Sequence, residues 1–67
     1  MEMINIQFGL LGVGESFKRM YMNEWYIKVD ESKDHLGMYN AVTADTNRAR
    51  ITMDEKSLVR VTPKKEV

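Results

Sequence analysis

Three groups of residues in this chain have types that can do chemistry, and each falls short on spacing. Gly12 and Gly14 stand as in a glycine turn that presents backbone N–H groups to a phosphate, but that device needs a third glycine or a following lysine, and a helix after it. An alternating segment beginning at Phe17 follows instead, so the glycines read as a bend. Asp30, Glu31, Asp34 and His35 can converge on a cation, yet their spacing matches neither the calcium loop nor the zinc patterns. A solvated acidic loop with no metal is expected there. His35 is the single histidine, and nothing sets Ser16, Ser32 or Ser57 beside it with an orienting acid. Paired carboxylates need a pocket that shifts one pKa, and a chain of 67 residues promises little room for one. The expectation is a protein that is not an enzyme and uses no cofactor.

Residues that can bind rather than react are more plentiful. Acids gather in expected turns, at Glu15, Glu24, Glu31, Asp34, Asp45, Asp54 and Glu55, whereas Lys18, Lys28, Arg48, Arg50 and Arg60 fall within expected strands. Such strands can display a basic stripe which, with Tyr21 or Tyr26 nearby, would neutralise phosphates and stack on bases. The same cations can equally cover a solvent face with their stems and discourage edge pairing. Ten basic and ten acidic side chains balance to zero, which favours the second reading.

The segment Phe17-Lys18-Arg19-Met20-Tyr21-Met22 carries large groups on both faces, Phe17 and Tyr21 on one and Met20 and Met22 on the other. Both sets cannot enter one small core. Six methionines in so short a chain suit either gap-filling or an adaptable binding surface, since the unbranched thioether repacks readily.

These residues must be positioned by strands. Short apolar/polar alternations are separated by turn residues, with almost no helical spacing. Met3 to Phe8 reads as a first strand, and Leu10, Leu11 and Val13 in the glycine loop are expected to cap one end of a barrel. Phe17 to Met22 is the second strand, and a turn at Asn23-Glu24 leads into Trp25 to Val29. Asp30 to Gly37 reads as the longest flexible connection, Met38 to Thr43 as a strand, and Asp45-Thr46-Asn47 as a turn. Arg48 to Met53 reads as a half-buried strand with Ala49, Ile51 and Met53 on one side. Asp54-Glu55-Lys56 turns again. Leu58 to Thr62 closes the set with Val59 and Val61 inward, and Pro63, which has no N–H to donate, ends it. A single domain over residues 1–63 with a tail over 64–67 is expected.

A domain of about 60 residues buries only about 60% of its unfolded surface, so it is close to the lower size for one core. With 43% apolar and 30% charged residues the chain has core material and a polar surface, and with no cysteine it has neither disulfide nor zinc-thiolate support. Tight packing or self-association must serve. No apolar run approaches a membrane span of about 18 residues, and the start lacks a basic signal region, so a cytoplasmic location without membrane is expected.

Gly14-Glu15-Ser16-Phe17, Trp25-Tyr26-Ile27-Lys28-Val29, Asn40-Ala41-Val42 and Val59-Arg60-Val61 appear in that order. The order resembles a group of small uncharacterised bacteriophage proteins whose pattern runs Gly-acidic-x-Phe, a short hairpin, Tyr-x-Lys, Asn-Ala-Val and a closing Val-x-Val or Val-x-Pro. Asp45-Thr46-Asn47 stands where many members have a Thr-Gly turn. The resemblance implies an all-β, SH3-like antiparallel barrel of five or six strands, and no reaction. Independently, Gly14 suits a bend before the Phe17 anchor, and the small Ala41 admits a close neighbour.

The function expected is binding of a host protein, with steric occlusion of its activity, through Met20, Tyr21, Met22 and Tyr26 and an arginine rim. Nucleic-acid binding through Lys18, Lys28, Arg48, Arg50 and Arg60 is the alternative. A third reading is a homodimer or higher homo-oligomer that sequesters a small anionic ligand.

Overall fold

The computed structural model describes residues 3–62, so Met1-Glu2, the strand end at Pro63 and the tail over 64–67 lie outside the described residues. The strands are β1 (Ile4–Gln7), β2 (Ser16–Arg19), β3 (Trp25–Asp34), β4 (Gly37–Thr43), β5 (Arg50–Ile51) and β6 (Leu58–Val61), with a short 3-10 helix at Phe8–Leu10. They form one six-stranded sheet in the order β1-β6-β2-β3-β4-β5, antiparallel throughout. The chain is all-β, with β1 and β5 as edges that do not pair with each other.

Period-two alternation puts Phe17, Tyr26, Ala41, Val59 and Val61 on one face, where Phe8 and Leu11 join them to make the core. Phe17 has no solvent exposure: it meets the Phe8 ring edge-on at 5.2 Å and stacks on Tyr26, its cross-strand partner, at 5.6 Å. Aromatic pairs of this kind add about 0.5–1.5 kcal/mol beyond area burial. The short helix is tied to the turn before β6 by Phe8 N–H to Ser57 O and Gly9 N–H to Glu55 O, both 2.8 Å. A Cβ on Gly9 would stand 3.0 Å from Glu55 Cβ, tighter than an ordinary contact, so glycine suits this close approach. Gly14 has φ +93°, and its N–H donates to Lys28 O at 2.7 Å, which bends the chain into β2 as expected. Ala41 is fully buried in the cluster.

Several expected elements differ. The polar stretch Asp30–Gly37 is no loose connection: β3 runs on to Asp34 and pairs with β4 through a tight turn at His35-Leu36. Asp34 Oδ1 accepts the Leu36 N–H at 2.8 Å and Gly37 takes φ +124°, which closes this turn without apolar alternation. Between the Lys28–Ala41 and Ser32–Tyr39 pairs, Val29, Asp30 and Glu31 face Asn40 alone, a bulge that lets β3 twist. β2 stops at Arg19 rather than Met22, and the strand expected over Arg48–Met53 shrinks to Arg50–Ile51, with Ala49 exposed. Of the residues expected to cap one end, Leu11 is buried while Leu10 and Val13 are exposed. Among the described residues, no helix is long and apolar enough to cross a membrane.

Candidate functional site

The end of β2 is set by a turn. Met22 N–H donates to Arg19 O at 3.2 Å, which leaves Met20 and Tyr21 as the two central residues. Arg60 reaches from β6, and its Nη2 donates to Arg19 O at 3.1 Å and to Met22 O at 2.5 Å. One guanidinium thus grips both ends of the turn through charge-assisted bonds, while its Nε is buried without a partner. The turn projects from the sheet, and Tyr21 is 98% exposed.

The turn borders a hollow of about 210 Å³ whose lining includes Met20, Tyr21, Met22, Met53 and Leu58. Met22 is 39% exposed, and its Sδ accepts the Tyr26 hydroxyl at 3.7 Å, which fixes the thioether. Met20, Tyr21 and Met22 therefore come together at the surface as a group. Tyr26 does not join them as a surface anchor: it is 3% exposed because its ring completes the Phe17 stack, and only its hydroxyl reaches toward Met22. The double-sided apolar pattern of 17–22 is explained by the strand ending halfway along it.

Sequence reasoning missed Met53, Leu58 and the Arg60 grip. Leu58 carried a readable signal, since it alternates with the inward Val59 and so must face out. Met53 was read by alternation on the same side as Ile51, and both pack against the core, but its place beside the turn depends on Asn40, which local sequence does not show.

The five cations proposed as a basic stripe are dispersed. Lys28 lies two residues from Tyr26 and shares its inward direction. Its Nζ donates to Phe8 O at 3.1 Å and Leu11 O at 2.8 Å and sits 4.7 Å from the Phe8 ring centre, satisfying carbonyls at the end of the short helix. Lys18 and Arg60 are cross-strand partners, but Lys18 bonds Asn23 Oδ1 at 3.1 Å and lies over Trp25 at 4.9 Å, while Arg60 holds the turn. Arg50 pairs with Asp34 at 3.1 Å and lies 5.1 Å from the Tyr39 ring centre. Arg48 stands in the β4–β5 connection with φ +49°, the sole non-glycine with positive φ among the described residues. Lys18 and Arg60 thus neighbour one another, Arg48 and Arg50 line one cleft, and Lys28 turns inward.

That connection is organised by Asp45. Its Oδ1 accepts the Thr43 hydroxyl at 2.7 Å and the N–H groups of Asn47 and Arg48 at 3.0 and 3.2 Å. The Thr43 bond, followed by the two backbone N–H bonds, holds the Asp45 carboxyl below its ordinary value of 3.8, against a smaller opposing effect of burial. Among the described residues no three His, Cys, Asp or Glu side chains cluster as metal ligands. What the Met20–Met22 turn and its hollow can do is present an aromatic, soft apolar groups and a cationic rim to another molecule. Comparison with protein-family models, curated proteins and solved structures finds no match to this chain.

Proposed function

We propose that this chain is a small interaction module of the bacteriophage type that docks on a host protein through the Met20-Tyr21-Met22 turn and occludes it, within the host cytoplasm. Its scaffold in this reading is the six-stranded sheet curled into an SH3-like barrel. The observation that carries the reading is Tyr21: an aromatic ring almost wholly in water, on a turn held at both ends by Arg60, at the border of a hollow that methionines and Leu58 also line. Exposing an aromatic ring costs free energy unless a partner covers it, and Tyr, Met and Arg are enriched in interfaces. Holding the turn in advance lowers the ordering cost of docking. Flexible thioethers around the anchor adapt to the partner's shape.

The test is retention from host lysate on the immobilised chain, followed by an activity assay of the retained protein. The reading expects one defined protein, lost with Tyr21→Ala and with Met20→Asp, whose activity falls as the chain is added. A partner held equally by these variants, or one whose activity is unchanged, would refute it.

A further inference from the structure

A second cavity lies away from the Met20–Met22 turn and shares no lining residue with its hollow. It is a cleft of about 460 Å³, inside the range of roughly 300–1,000 Å³ typical of small-molecule sites. Val13, Val29 and Val42 give it apolar walls, and Val42 is buried although its neighbours in the register, Ile27 and Arg50, are not. Tyr39, Arg48, Arg50 and Asp30 supply the polar part of the lining.

Two irregularities of the fold meet at this cleft. The bulge in β3 comprises Val29, Asp30 and Glu31, so two of its residues form the wall. The left-handed non-glycine residue is Arg48, which lines the opposite strand connection. Bulges re-aim side chains, and left-handed backbone at a branched-out residue such as arginine persists only when surrounding bonds impose it. Here Asp45 imposes it by accepting the Arg48 N–H.

The cations of the cleft are not equivalent. Arg50 is paired with Asp34 and its guanidinium lies over the Tyr39 ring at 5.1 Å, which makes a cation–π platform. The Arg48 guanidinium has no hydrogen-bond or ion-pair partner among the described residues, so its fork of donors is available to an oxyanion. Asp30 supplies an acceptor for a ligand hydroxyl or amino group.

We propose that this cleft binds a small phosphate ester bearing a planar ring, of the nucleoside monophosphate class. Arg48 takes the phosphate, and the Arg50–Tyr39 platform with its valine wall takes the ring. A single nucleotide fits better than a strand, because Lys18, Lys28 and Arg60 are committed elsewhere and offer no second phosphate contact in line.

The experiment is an NMR titration of the full chain with AMP, with inorganic phosphate, adenosine and an oligothymidylate as comparison probes. Saturable shifts of Tyr39 and of the residues around Val42 are expected with AMP, weakened about tenfold or more by Arg48→Ala. Arg48→Gly is the second variant: glycine accepts this backbone conformation, so loss of AMP binding in it cannot be ascribed to unfolding. Lys56→Ala and Tyr21→Ala should bind AMP as the parent does, which separates this site from the protein-docking turn. Phosphate should compete, and adenosine should bind at least about tenfold more weakly than AMP. The absence of saturable shifts at millimolar AMP, or binding by both Arg48 variants as tight as the parent's, would overturn the proposal. So would an oligothymidylate that binds far more tightly than AMP with a steep salt dependence, since that behaviour belongs to a nucleic-acid track.

Discussion

Asn40 and Met53 form a reciprocal pair in which a side chain imitates a strand. Asn40 Nδ2 donates to Met53 O at 2.9 Å, and Asn40 Oδ1 accepts the Met53 N–H at 2.8 Å. The ladder between β4 and β5 ends at Ile51, and this amide carries the chain onward past Thr52, whose hydroxyl donates to Met38 O. Met53 is thereby placed both against the core and in the lining of the hollow that Tyr21 borders.

Removing that amide should therefore act on stability and binding together. Asn40→Ala leaves the Met53 N–H and carbonyl without protein partners, at a cost of about 2 kcal/mol. Denaturant unfolding should show the loss as a lower midpoint with an unchanged slope. Asn40→Asp keeps an acceptor for the N–H but has no donor for the carbonyl at neutral pH, so it should not restore the midpoint.

Phe17 is the test of the core. Phe17→Ala should cost about 3–5 kcal/mol, and a domain of this size has roughly 3–10 kcal/mol in total. The variant should be largely unfolded by circular dichroism at room temperature, while Phe17→Leu should remain folded with a lower melting point.

The same residue shows how much was legible. Alternation was enough to place Phe17, Val59 and Val61 inward and Arg60 outward, because these positions lie in ordinary half-buried strands. It was not enough for Asp30–Gly37, where a two-stranded ribbon exposed to water on most of its surface has no apolar pattern to read. Nor was it enough for Met20–Met22, where apolar residues prolong the strand pattern past its end and the turn depends on a guanidinium 38 positions away. Lys28 looked like a surface cation because the carbonyls that draw it inward belong to a helix about which local sequence is silent. Of the four residues expected to anchor a partner, Met20, Tyr21 and Met22 lie on the turn that follows β2, and Tyr26 lies in the core.

Acid should weaken the β4–β5 connection in a defined direction. The folded-state pKa of Asp45 lies below its unfolded value of 3.8, so its contribution is fully present above that value and is lost as pH falls through the folded one. Asp45→Asn retains an acceptor oxygen and cannot titrate. Melting curves of the parent and this variant should keep a constant separation at higher pH, with the difference shrinking below 3.8.

Arg48 holds a backbone conformation that costs its side chain. Its left-handed φ of +49° should make Arg48→Gly more stable than the parent by up to about 1 kcal/mol, read as a raised melting temperature. A drop in stability would mean that the arginine side chain supports the fold.

Tyr21 separates folding from function most cleanly, since its side chain is in water and its removal should change stability by less than about 0.5 kcal/mol. The decisive measurement is the affinity of the purified retained protein for the parent chain, Tyr21→Ala and Arg48→Ala, side by side. Loss of binding of about tenfold or more with Tyr21→Ala, and unchanged binding with Arg48→Ala, is the result expected of docking through the Met20–Met22 turn. Equal affinity of the parent and Tyr21→Ala would contradict it.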